Sequence, residues 1–142
     1  GCAGRMGQML AREAVAAGAT LSGGTERPDS PVLGRDMGLV AGIDPVGALV
    51  TADAASVFAA SDVVVDFTSP AASAVHADLA AAHGTALVSG TTGLTVAQQE
   101  RIEAAAAKVA VVQAPNFSVG VTLLTGLVEQ VAAKLSAGRG GA

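Results

Sequence analysis

The sequence has 142 residues, enough for one domain or slightly more. Apolar residues make up 51% and charged residues 14%, which excludes a disordered chain. The net charge is −4 and the aromatics are Phe58, Phe67 and Phe117 alone, so neither a basic phosphate-tracking groove nor a base-stacking platform for nucleic acid is available.

Cys2 is the sole cysteine, which excludes an internal disulfide and a cysteine-based zinc site. No unbroken run of about 18 apolar residues occurs, so no membrane span is expected. No charged stretch followed by an apolar one opens the sequence, so no signal peptide is read. A cytoplasmic protein is the expectation. Alanine is the commonest residue, and glycine occupies 18 positions. A core of Val, Leu, Ile and Ala suits parallel β-structure under small-residue helices.

In chain order, Met6 to Ala17 reads as a helix stopped by Gly18 in a left-handed position. A short strand is expected from Ala19 to Thr25. Pro28 to Pro45 is rich in Gly, Pro and Asp and reads as a loop with at most a short helix. Val46 to Ala52 suggests another short strand and Ala54 to Ala60 a short helix. Val63 to Phe67 is a β-branched run typical of a buried strand. Ser69-Pro70 opens a helix to His83, with Ser as N-cap and Pro at the first helical position. Thr85 to Ser89 is the next strand, Thr95 caps a helix from Val96 to Ala107, and Val109 to Gln113 is a further strand. A last helix runs from Val119 to Leu135, capped by Ser118. Residues 136–142 read as a frayed Gly-rich tail.

Strands alternating with helices mean βαβ units in a parallel sheet, with ligands at the carboxyl ends of the strands. The expected fold is therefore α/β, a Rossmann-type doubly wound parallel sheet, with residues 1–135 as one dinucleotide-binding domain.

Gly1, Gly4 and Gly7 form a G-x-x-G-x-x-G loop at a helix start. Such a loop lets backbone approach a pyrophosphate at the positive end of a helix, although glycines also serve plain tight turns. Glu26 follows about 20 residues on, where a dinucleotide fold places an acid for ribose hydroxyls. Arg27 beside it can pair with the 2′-phosphate of NADP. The alternative for both residues is a solvated charge pair.

His76 and His83, seven apart on one helix, read as solvated residues rather than metal ligands, since no third ligand accompanies them. Asp66, at a strand end, reads as the cap of the next turn. Cys2, near a helix N-terminus, is expected to have a lowered thiol pKa and to act as a small spacer.

The strings GCAGRMG (1–7), Glu26-Arg27-Pro28, Val65-Asp66-Phe67-Thr68, Gly90-Thr91-Thr92-Gly93 and Ala114-Pro115-Asn116-Phe117-Ser118-Val119-Gly120-Val121 together resemble the 4-hydroxy-tetrahydrodipicolinate reductase (dihydrodipicolinate reductase) family. The resemblance covers nearly the whole chain. It implies a cofactor domain that passes a hydride from NADPH or NADH to a cyclic dicarboxylate in lysine and diaminopimelate synthesis. It implies that Gly1, Cys2, Ala3, Gly4, Arg5 and Met6 hold the pyrophosphate, Glu26 the adenosine ribose, and Arg27 the 2′-phosphate. It places Gly90, Thr91 and Thr92 at the nicotinamide end and Ala114, Pro115, Asn116 and Phe117 around the nicotinamide and its ribose.

The family pattern also includes a strand before the glycine loop and a second domain with a His-His-x-x-x-Lys segment that holds substrate. The 142 residues contain neither. The expectation is a cofactor half without its first strand and substrate domain, inactive alone, and homo-oligomeric only in a full-length form. The rivals are the cofactor domain of an aspartate or homoserine dehydrogenase type and a non-catalytic dinucleotide-binding module.

Overall fold

The computed structural model describes residues 1–138. Helix α1 (Arg5–Ala16) ends at Ala17, and Gly18 follows at a φ of 82°, the left-handed stop expected there. Strand β1 is only Gly24–Thr25, shorter than the segment from Ala19 that the sequence suggests. Helix α2 (Met37–Ala41) is capped by Asp36. The Asp36 carboxylate also accepts the N–H groups of Val46 and Gly47, at 3.1 and 2.7 Å, and so folds the Gly- and Pro-rich segment on itself. Strand β2 (Val50–Thr51) and helix α3 (Ala54–Ala59) follow.

The second half is more regular. Strand β3 (Val63–Asp66) leads to helix α4 (Pro70–His83), where Ser69 caps Ala72 and Gly84 ends the helix at a φ of 74°. Strand β4 (Ala86–Ser89) leads to helix α5 (Val96–Ala106), opened by a capping box of Thr95 and Gln98. Strand β5 (Val111–Gln113) and helix α6 (Val119–Gly138) complete the described residues. Residues 136–138 are thus helical rather than tail; the remainder of the expected tail, 139–142, lies outside the described residues.

All strand pairs are parallel, as the alternating pattern requires: β1 with β2, β3 with β4, and β4 with β5. The architecture is α/β of Rossmann type, but the strands form two sheets, β1-β2 and β3-β4-β5. Under α4 and α5 the core is Phe58, Ala77, Ala80, Leu87, Ile102 and Ala105. A second core of Ala11, Met37, Ala41 and Val50 joins α1 and α2 to β2.

Between β1 and β3 runs a cavity of about 300 Å³, lined by Leu10, Ala14, Leu21, Gly23, Val63 and Val65 among others. This cavity explains two departures from expectation. Residues 19–23 have no partner strand on that side and form no ladder. Val63 and Val65, expected inside a buried strand, are 53% and 47% exposed.

Helix α6 also departs from expectation. Its segment Val119–Ser136 has a mean hydropathy of 1.2 and is, by length and composition, long and apolar enough to cross a membrane. Thr122, Thr125, Glu129, Gln130 and Lys134 interrupt the run, so a search for unbroken apolar residues misses it. Val119, Leu123, Leu124, Val128 and Leu135 are all exposed.

Candidate functional site

The glycine loop hangs on the end of β1, where the Cys2 N–H donates to the Thr25 carbonyl at 3.0 Å. A Cβ at Gly7 would lie 2.6 Å from the Cys2 backbone, so the third glycine is required by the fold itself. At Gly1 the nearest atom to such a Cβ is Thr68 Cγ2 at 3.9 Å, ordinary contact. Gly4 is the N-cap of α1, in an extended conformation, and no side chain caps the helix. The first-turn N–H groups therefore point outward at the positive end of the helix dipole. Cys2 packs into the core beside Met37, and burial pushes its thiol up from the ordinary value. This corrects the expected lowering, because desolvation outweighs the nearby positive charge and the backbone N–H groups of Cys2 and Ala3. Arg5 and Met6 occupy the exposed first turn of α1.

Glu26 joins this loop to the end of β2. Its N–H donates to Thr51 at the end of β2, at 2.9 Å. Its Oε1 accepts the Ala3 N–H at 2.9 Å, while Oε2 has only a long contact with the Arg27 N–H at 3.3 Å. One carboxylate oxygen fixes the loop and the other can take further donors, as a ribose hydroxyl would require. The Arg27 side chain is 80% exposed, with Asp29 at 3.7 Å as a loose charge partner. Gly1, Ala3, Gly4, Glu26 and Arg27 share a groove of about 650 Å³ with Thr68, Ser69 and His76.

The other expected residues gather nearby, outside that groove. The Gly90 N–H donates to the Asp66 carbonyl at 2.9 Å. A Cβ on Gly90 would fall inside the Phe67 ring. Phe67 meets Phe117 edge-on, with ring centres 5.5 Å apart. Thr91 is buried and accepts the Thr68 N–H through its hydroxyl at 3.2 Å, whereas Thr92 is exposed. The Ala114 N–H donates to Ser89 at 3.2 Å. Pro115 is exposed, and the Asn116 side chain accepts the Ser118 N–H at 2.8 Å. Ser118 caps α6 through Val121, as expected. Phe67 and Thr68 thus stitch the loops after β3, β4 and β5 together.

One of the two histidines departs from expectation. His83 is exposed, but His76 is only 9% exposed, not solvated. Its Nδ1 lies 3.2 Å from Asp66 Oδ2. Asp66 caps the turn through Thr68 as expected, accepting the N–H at 3.0 Å and the hydroxyl at 2.6 Å on Oδ1. Burial alone would raise the Asp66 carboxyl; the His76 imidazole and the Thr68 and Ser73 hydroxyls outweigh it and hold it below the usual carboxylate range. The missed signal is the spacing of Ser73, His76, Ala77 and Ala80, one helical stripe whose other members are small and buried.

The family described as dihydrodipicolinate reductase, N-terminus, matches residues 1–117. The chain is 50% identical over 133 residues to a 4-hydroxy-tetrahydrodipicolinate reductase of Anaeromyxobacter sp. (strain Fw109-5), covering 93% of this chain and 49% of that protein. It is 46% identical over 136 residues to the enzyme of that name from Rhizobium meliloti, covering 95% and 56%. With the enzyme of that name from Acinetobacter baumannii the identity is 43% over 132 residues, covering 93% and 48%. The chain spans about half the length of the curated relatives it matches. On the match through residue 117 and these identities, the chain belongs to the dihydrodipicolinate reductase family, in its N-terminal domain.

Proposed function

We propose that this chain is the cofactor-binding half of a 4-hydroxy-tetrahydrodipicolinate reductase, taking NADPH or NADH, with residues 1–135 as the dinucleotide domain. The observation that carries this reading is the Glu26 carboxylate bonded to the Ala3 N–H, beside an uncapped helix start and one groove. The glycine loop from Gly1 to Met6 takes the pyrophosphate, Glu26 the adenosine ribose, and Arg27 the 2′-phosphate of NADPH. Gly90 to Thr92 and Ala114 to Phe117 form the nicotinamide end. The bound nicotinamide supplies the hydride, and the chain supplies orientation and shielding.

The dicarboxylate is held by the second half of such a reductase. The exposed apolar surface of α6 is a face for that half rather than a membrane span. The setting is the cytoplasm, in lysine and diaminopimelate synthesis, with homo-oligomers formed by the longer protein. Calorimetric titration with NADPH and NADH tests the cofactor reading. Arg27→Ala should weaken NADPH by about tenfold or more, the loss of one charge-assisted contact, and leave NADH nearly unchanged. Equal losses for the two cofactors would remove Arg27 from the 2′-phosphate role.

A further inference from the structure

The Asp66–His76 pair adjoins the site, with His76 in the wall of the Glu26 groove, and neither residue is among those expected to touch the cofactor. Asp66 is 1% exposed and sits at the last position of β3. Its backbone carbonyl accepts the Gly90 N–H, which ties it to the loop after β4. Its Oδ1 holds Thr68 by both N–H and hydroxyl. Thr68 in turn shares its N–H with Thr91 and lines the same groove as Gly1 of the glycine loop. Thr68 therefore lies between the two ends of the candidate cofactor site, bonded to one and lining the groove of the other.

The second oxygen, Oδ2, has no hydrogen-bond partner in good alignment, and neither does Nδ1 of His76. The two atoms face each other at 3.2 Å. His76 stands on α4, a separate element, with the Phe58 ring 5.6 Å away. The turn at Thr68 thus holds Oδ1, and the imidazole on α4 stands against Oδ2 from the other side.

We propose that His76 is a positioning residue: through Asp66 it fixes Thr68, and so sets the spacing between the glycine-loop end and the Gly90–Thr92 end of the dinucleotide site. This rests on the cofactor reading given above. A ligand that spans both ends feels that spacing, and a ligand that occupies one end does not.

The test compares NADPH with ADP, which reaches only the glycine loop and Glu26. By calorimetry, H76L should weaken NADPH by about tenfold or more and ADP by a clearly smaller factor, since His76 also lines the groove beside Glu26. H76N, which keeps a neutral N–H donor facing Asp66, should restore most of the NADPH affinity, whereas a filler role for the ring would not be rescued. If H76L fails to fold, the D66N/H76L double variant leaves no unpaired charge and keeps the Thr68 acceptor. It should show the same split between the two ligands.

Parental affinity for both ligands in the folded leucine variant would overturn the proposal. So would equal losses for both ligands, which would mark a structural role. A parent protein that binds neither ligand would overturn the cofactor reading itself, and the positioning role with it.

Discussion

Gly1 and Gly7 belong to the same seven-residue loop, yet they are glycines for different reasons. At Gly7 a methyl group would press on the Cys2 backbone from 2.6 Å, and backbone cannot rotate away. Gly7→Ala should cost about 1–3 kcal/mol of stability, the usual price of overpacking, and lower the melting temperature by several degrees. At Gly1 the same methyl would meet only Thr68 Cγ2 at 3.9 Å. Gly1→Ala should leave stability within about 0.5 kcal/mol, as for an unobstructed surface site. The methyl would stand where a pyrophosphate must approach the loop. Losing one charge-assisted hydrogen bond costs about 1.5–3 kcal/mol, or about ten- to hundredfold in Kd. Thermal melts followed by circular dichroism give the first quantity and calorimetry with NADPH the second. Gly1→Ala with parental affinity would show that the loop is a tight turn and not a cradle. Gly1→Ala as destabilising as Gly7→Ala would show that the loop geometry is wrong.

Gly90→Ala should cost a further 1–3 kcal/mol or so, because its methyl collides with Phe67; Phe67→Leu in the same chain should recover part of that in urea melts, and no recovery would locate the clash elsewhere. The Asp66 carboxyl, held below its unfolded value of about 3.9, contributes stability that is complete above that pH and is lost as pH falls through the folded value. Asp66→Asn should therefore flatten the acid side of a stability–pH curve, and an unchanged acid slope would refute the assignment. The cavity between β1 and β3 leaves apolar side chains and strand edges unpaired, so the 142-residue chain alone should bind a hydrophobic dye and melt broadly. A sharp, dye-silent melt within the ordinary range of about 45–65 °C would contradict that.

The fold was most legible where local chemistry is self-sufficient. Ser69-Pro70 and Thr95 with Gln98 start helices by satisfying their own first N–H groups, and Gly18 and Gly84 stop them by adopting positive φ. None of these needs a distant partner. Strand extent was less legible, because a ladder exists only with a neighbour. Residues 19–23 and Val63 to Asp66 are both expected within strands. The second segment lies against Ala86 to Ser89 in full register, and the first has only Gly24 and Thr25 paired.

The site divides along the same line. Glycines, an acid and an arginine at fixed spacing stand out in sequence because the expectation for them follows from residue type and local turn. The part that joins the two ends of the site cannot, because each link crosses between elements. Phe67 fills the space left by Gly90 and reaches Phe117, Thr68 reaches Thr91, and Asp66 reaches a helix two turns away. Asp66 and His76 looked ordinary apart because each has a bland reading alone, a turn cap and a surface imidazole. Burial removes the second reading. A polar imidazole 9% exposed is costly to bury unless it meets a partner, and the carboxylate 3.2 Å from it is the one that holds Thr68, between the two ends of the candidate site.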